Sequence, residues 1–229
     1  MLFSIKLRLF VVIEIPLSVV PAKQETDWWL PRHEAKLVQK EAMDRVDLVF
    51  LGDSITQAWE VEGADIWDEF YRPRNALNLG FNGDRTEHVL WRLEQGEVDD
   101  IQPKLLVLLI GTNNTGHRQD KAEDTALGIK KILDVLAEKL PHTKILLLAI
   151  FPRSAKPTQQ LRVLNDSINQ IIQHYGDDER VFYLDINAHF LTNEGVLSRR
   201  VAKDFLHPNG SQYSRWADLI EPSIQRLMK

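Results

Sequence analysis

The chain contains no cysteine. That absence removes disulfides, thiolate nucleophiles and Cys-ligated zinc, so any covalent chemistry has to use another side chain. A basic cluster is also missing: 28 Lys and Arg and 33 Asp and Glu are spread along the sequence for a formal net charge of −5. No nucleic-acid partner is expected of such a surface. No Pro/Gly/Ser-rich linker divides the 229 residues, a length that suits one sizeable α/β domain. Walker A, dinucleotide-binding and H-E-x-x-H patterns are absent, so the sequence implies neither a cofactor nor a metal.

A long clean apolar run is lacking as well. The N-terminal stretch MLFSIKLRLFVVIEIPLSVVPAKQ places Lys6 and Arg8 before the run Leu9 to Val20, with Ala22 as a small residue behind it. That resembles a weak export signal. Glu14 and Pro16 interrupt the run, which falls short of the ~20 apolar residues of a stable membrane span. Its β-branched content suits an added strand equally well. Residues 1–24 are therefore set apart as an N-terminal extension and 25–229 as the domain. The compartment stays open, with a cytoplasmic chain preferred to an exported one.

What is present is a repeating alternation. Five apolar runs, Val46 to Leu51, Ala76 to Leu79, Leu105 to Ile110, Ile145 to Ile150 and Val181 to Ile186, are continuous in their hydrophobicity. Strands covered on both faces read that way, which predicts a parallel sheet. Helical spacing appears over Glu87 to Leu93, Thr125 to Leu140 and Leu161 to His174, and again from Ser211 to Leu227. The expected architecture is a single-domain three-layer α/β/α sandwich around a five-stranded parallel sheet. Such open sheets bind ligands outside the carboxyl ends of their strands.

Polar residues gather at that edge. Gly52-Asp53-Ser54 ends the first run, Asn78 to Asp84 ends the second, Gly111-Thr112-Asn113-Asn114 the third, and Asp204-Phe205-Leu206-His207 lies beyond the fifth. Ser54 can cap the helix that follows it or act as a nucleophile. A nucleophile needs a base within reach, an acid to fix the base's tautomer, and donors for an oxyanion. Taken singly, Gly80 and Gly83 read as turn residues, Asn113 as a loop asparagine and His207 as a packing residue. Asp53 reads as a structural acid, and His88 and His117 as hydrogen-bonding or packing groups. The serine is not in a G-x-S-x-G elbow, because Thr56 stands where the second glycine belongs.

The blocks GDSIT, NLGFNGD, GTNN and DFLH together resemble those of the GDSL, or SGNH, hydrolases. Residues 78–97 and 103–117 resemble the platelet-activating factor acetylhydrolase branch of that family, and the likeness runs from about Trp28 to the C-terminus. It implies a flavodoxin-like fold and a serine esterase acting on short acyl groups, acetyl above all. In that scheme Ser54 attacks the ester carbonyl, His207 is the base, and Asp204 orients it. The oxyanion hole would be the Ser54 and Gly80 N–H groups with the Asn113 side chain. Ile55, Thr112 and Leu206 would line a small acyl pocket. The partner is then a small-molecule acyl ester, an acetylated lipid, sugar or alcohol, with no cofactor; a homodimer follows by analogy. One departure is Asn82, where that branch carries glycine. A lysophospholipase or thioesterase, an acyltransferase and a non-catalytic binding protein on the same fold remain alternatives.

Overall fold

The structure, a computed structural model, describes residues 14–229. Its sheet consists of β1 (Leu48–Gly52), β2 (Ala76–Gly80), β3 (Leu105–Leu109), β4 (Lys144–Leu148) and β5 (Val181–Leu184). All neighbours pair in parallel, in the order β2-β1-β3-β4-β5. Each strand lies at the position expected from its apolar run, because both of its faces are covered. Val49, Leu51, Leu77, Leu79, Leu106, Leu108, Ile145 and Leu147 point into one apolar layer. Leu48, Phe50, Leu105, Val107, Leu146 and Leu148 point into the other.

Among the described residues seven α-helical segments surround the sheet: α1 (Trp29–Glu41), α2 (Ser54–Gln57), α3 (Ala64–Ile66), α4 (Thr86–Glu94), α5 (Ala122–Lys139), α6 (Gln160–Ile172) and α7 (Gly210–Leu227). Helices α4, α5 and α6 fill the first layer with residues such as Val89, Leu93, Ile129, Ile132, Leu136 and Ile168. On the second layer α7 buries Tyr213, Trp216, Ala217, Ile220, Ile224 and Leu227, a stripe at helical spacing. Among the described residues no helix is long and apolar enough to cross a membrane.

Helix α1 departs from the sequence-based expectation. Its buried positions are Trp29, His33, Lys36 and Lys40, spaced as one helical face but made mostly of polar residues. Apolar periodicity therefore cannot show it. The two lysines are satisfied where they enter the interior: Lys36 Nζ lies 2.6 Å from Glu60, and Lys40 Nζ donates to the carbonyls of Gly96 and Asp99 at 2.7 and 2.8 Å.

The leader-or-strand reading of residues 1–24 falls largely on 1–13, outside the described residues. From Glu14 to Gln24 the chain forms a single 3-10 turn, Leu17–Val19, and no strand. This segment lies on the domain itself. Thr86 Oγ1 donates to the Ser18 carbonyl at 2.8 Å, Ser18 Oγ donates to the Asp124 carbonyl, and Ala22 N donates to the Glu87 carbonyl at 3.1 Å.

Candidate active site

The strand order changes direction at β1, whose neighbours β2 and β3 lead away on opposite sides. Loops following these strands diverge there and leave a crevice at the carboxyl edge. Ser54 enters it directly from β1. The cap of α2 is Asp53, whose Oδ1 accepts the Ile55 N–H at 3.0 Å, and Ser54 is the first residue of the helix. Capping is thus done by the acid, and the serine hydroxyl is left for another partner. That partner is His207: Ser54 Oγ and His207 Nε2 lie 2.9 Å apart.

The imidazole is held from behind. His207 Nδ1 is 2.6 Å from Asp204 Oδ2, while Asp204 Oδ1 accepts the backbone N–H groups of Leu206 and His207 at 3.0 and 2.9 Å. With Nδ1 donating to the carboxylate, Nε2 is free to accept the serine proton. Desolvation would raise the Asp204 pKa, but the hydrogen bonds from His207 and Leu206 outweigh it and hold the carboxyl below its usual range. Phe205 adopts a left-handed φ of 59°, which turns the chain so that both ends of the Asp-x-x-His stretch face the same way.

Asn113 is buried, and its Nδ2 donates one hydrogen to the Asp84 carbonyl at 3.0 Å. Asn114 ties the same two loops together, accepting the Thr86 N–H at 3.1 Å. Asp84 is anchored in turn by Trp29 Nε1 at 2.7 Å and Arg92 Nε at 2.9 Å. Buried α1 and α4 residues thereby brace the loop after β2.

The expected Gly80 donor is a correction. The Gly80 N–H is already given to Asn78 Oδ1 at 2.8 Å, on the outer edge of the sheet. Gly80 is glycine for a steric reason, since a Cβ there would sit 2.1 Å from the Gln57 nitrogen of α2. Gly83, three residues on, has a φ of +74° and an N–H with no hydrogen-bond partner among the described residues. Its signal was present in the sequence: Asn82-Gly83 is a turn dipeptide, and Gly83 precedes the buried Asp84.

The three expected acyl-pocket residues have different surroundings. Ile55 packs in the second apolar layer with Trp59 and Tyr213, and its carbonyl accepts the Tyr213 hydroxyl at 2.8 Å. Thr112 is buried, and its hydroxyl lies 3.2 Å from both Asn165 Nδ2 and Arg153 Nη1. Leu206 lines a crevice of only about 10 Å³ with Phe151, Pro152, Phe190, Leu197 and Pro208. Arg153 was missed altogether. Its guanidinium grips the Thr112 carbonyl just before Asn113, and its field acts on Asp53 and Asp204. A lone arginine after β4 carries no sequence signal of that placement.

His88 is buried, and desolvation, with Arg85 adding to it, pushes its pKa down to about 3; its Nδ1 accepts the Arg85 N–H at 3.1 Å. Asn82 is exposed, and its backbone N–H donates to Gln57 Oε1 at 2.7 Å. Among the described residues no three His, Asp or Glu side chains are gathered as a metal site requires.

Comparison with known proteins identifies the chain's family. The alpha2 subunit of human platelet-activating factor acetylhydrolase IB is 34% identical over 207 residues, 90% of this chain and 87% of that protein. The human alpha1 subunit is 33% identical over 201 residues, covering 87% and 84%. A GDSL-like lipase from Bacteroides thetaiotaomicron shares the fold with a TM-score of 0.71 at 19% identity, over 85% of this chain and 97% of that one. An acetylxylan esterase from Geobacillus stearothermophilus does so with a TM-score of 0.63 at 17% identity, over 80% and 96%. The family model of GDSL-like lipases and acylhydrolases matches residues 50–215. The chain belongs to the GDSL-like lipase/acylhydrolase family and is a carboxylic ester hydrolase.

Proposed function

We propose that the protein hydrolyses short-chain acyl esters, acetyl esters above all, through an acyl-enzyme formed on Ser54. The observation that carries this reading is the relay Ser54 Oγ–His207 Nε2 at 2.9 Å and His207 Nδ1–Asp204 Oδ2 at 2.6 Å. Ser54 Oγ attacks the ester carbonyl while its proton passes to His207 Nε2. The carbonyl oxygen becomes an oxyanion and is received by the Ser54 and Gly83 N–H groups and the remaining Asn113 Nδ2 hydrogen. His207 then gives its proton to the departing alcohol as the carbon–oxygen bond breaks. A water molecule, deprotonated by the same nitrogen, releases the acid and restores the serine.

Two features favour hydrolysis of small acyl groups. His207 and Asp204 keep 42% and 54% of their side-chain surface exposed, so water reaches the acyl-enzyme freely. Leu206 adjoins His207, and the crevice it lines measures only about 10 Å³, so an acyl group directed there is limited to little more than a methyl. Discrimination of ~1 to 3 kcal/mol per misplaced methylene then gives a steep fall with acyl length. The test is a series of acyl esters that share one leaving group. Acetyl should be hydrolysed far faster than octanoyl, and equal efficiency would refute the small-acyl reading.

A further inference from the structure

A cavity of about 530 Å³ opens beside Gly83, the proposed oxyanion donor, and no step of the mechanism above uses it. One wall comes from the segment before α1: Leu17, Val20 and Ala22, of which Leu17 and Val20 remain 61% and 43% exposed. Arg85 and His117 line it as well. Gly83 also borders the cavity, with His117 Cε1 only 3.8 Å from where a Gly83 Cβ would lie.

The chemistry of His117 is fixed by its neighbours. Desolvation lowers its pKa, and the positive charges of Arg85, Arg153 and Arg118 lower it further, so the ring is neutral in neutral solution. Arg85 Nη1 lies 3.3 Å from His117 Nδ1. An arginine can only donate, so Nδ1 accepts and the ring hydrogen sits on Nε2. No group among the described residues takes that hydrogen. Arg85 Nε donates to Glu87 and its Nη1 to His117, so Arg85 orients the imidazole.

We propose that this cavity is the subsite for the alcohol half of the ester, selecting alcohols that present a hydrogen-bond acceptor to His117 Nε2 and an apolar segment to Leu17 and Val20. The inference rests on the short-acyl reading: with the Leu206 side closed beyond a methyl, the larger half of the ester requires the larger space. The segment before α1 thus becomes part of substrate recognition.

Three acetates that differ only in the alcohol test it: ethyl, hexyl and 2-methoxyethyl acetate. Hexyl acetate should exceed ethyl acetate in kcat/KM by about tenfold, the gain from burying roughly two methylenes. The Leu17→Ser/Val20→Ser pair should bring that ratio close to one through KM. The advantage of 2-methoxyethyl over ethyl acetate should vanish in His117→Leu and persist in His117→Gln, which keeps a donor. Ratios unchanged by these substitutions would overturn the proposal. So would a matched series of ethyl esters in which Leu17→Ser/Val20→Ser abolishes a preference for hexanoate, since the cavity would then hold the acyl chain. A readout independent of turnover is NMR of Ser54→Ala titrated with hexan-1-ol. Shifts at Ala22, Gly83 and His117 are expected even if the short-acyl reading fails, and their absence at millimolar alcohol would also overturn the subsite.

Discussion

The two halves of the relay are built differently. Ser54 stands at the end of β1, between β2 and β3, with Asp53 capping its helix and Tyr213 holding the next carbonyl. Asp204 and His207 sit on a loop outside the strands and helices, kept in shape by short bonds: its own Asp204 turn, Ser154 N to the Phe205 carbonyl at 2.8 Å, and Asn209 N to the Val201 carbonyl at 2.8 Å. The proposed nucleophile is thus fixed by the core, while the proposed base is fixed by its immediate neighbours. Damage on the first side should cost stability together with activity, and damage on the second should cost activity alone.

The largest expected effects sit on the relay itself. Ser54→Ala and His207→Ala should each lower kcat by about 10⁴-fold or more, because the members act as one unit. Asp204→Asn should cost as much or somewhat less. The two loop variants, His207→Ala and Asp204→Asn, should keep the wild-type Tm, and a large loss of Tm in His207→Ala would break the contrast between the halves. Next is Asn113→Ala, with a fall in kcat of about 10²- to 10³-fold, the usual cost of one oxyanion donor.

On the core side the losses should appear in stability. Ile55→Ala removes a buried side chain next to Trp59 and Tyr213, and denaturant melts should show a loss of about 2 to 5 kcal/mol. Leu206→Ala, on the half-buried loop, should lose much less. Gly80→Ala pushes a methyl into the α2 backbone and should destabilise by about 1 to 3 kcal/mol or more.

The smallest effect concerns pH. Desolvation, with Asp84 nearby, pushes the Asp53 carboxyl up to about 7 against the opposing Ile55 N–H and Arg153 charge. The folded chain then keeps a proton that the unfolded chain loses at about pH 4. Stability from this group is therefore lost as pH rises from about 4 through about 7. Asn in its place keeps a capping oxygen without the charge. Tm measured from pH 5 to 8 should fall less in Asp53→Asn than in the wild type, and parallel curves would remove Asp53 from the account.

Much of this architecture is legible in the sequence because parallel strands buried on both faces leave unbroken apolar runs. Ser54 stands out because it follows a strand end, and Asp204 and His207 because they share one short block. What escaped is physical in origin. Helix α1 buries a tryptophan, a histidine and two lysines, so its inner face does not look apolar. The direction of the Gly80 N–H depends on which edge of the sheet β2 occupies, and a run of residues carries no record of that. Thr112 turns its hydroxyl toward Asn165 and Arg153, partners 53 and 41 positions away. Position in a block predicts where a residue's backbone lies more reliably than where its side chain points.

The claim on which the rest depends is that Ser54 carries the acyl group. Rapid-quench mass spectrometry during turnover of an activated acetate ester measures it directly. The account predicts one acetyl group on the peptide containing Ser54, formed as fast as the first product is released and absent in Ser54→Ala. An acetyl group on another residue, or continued turnover by Ser54→Ala with no covalent adduct, would contradict it.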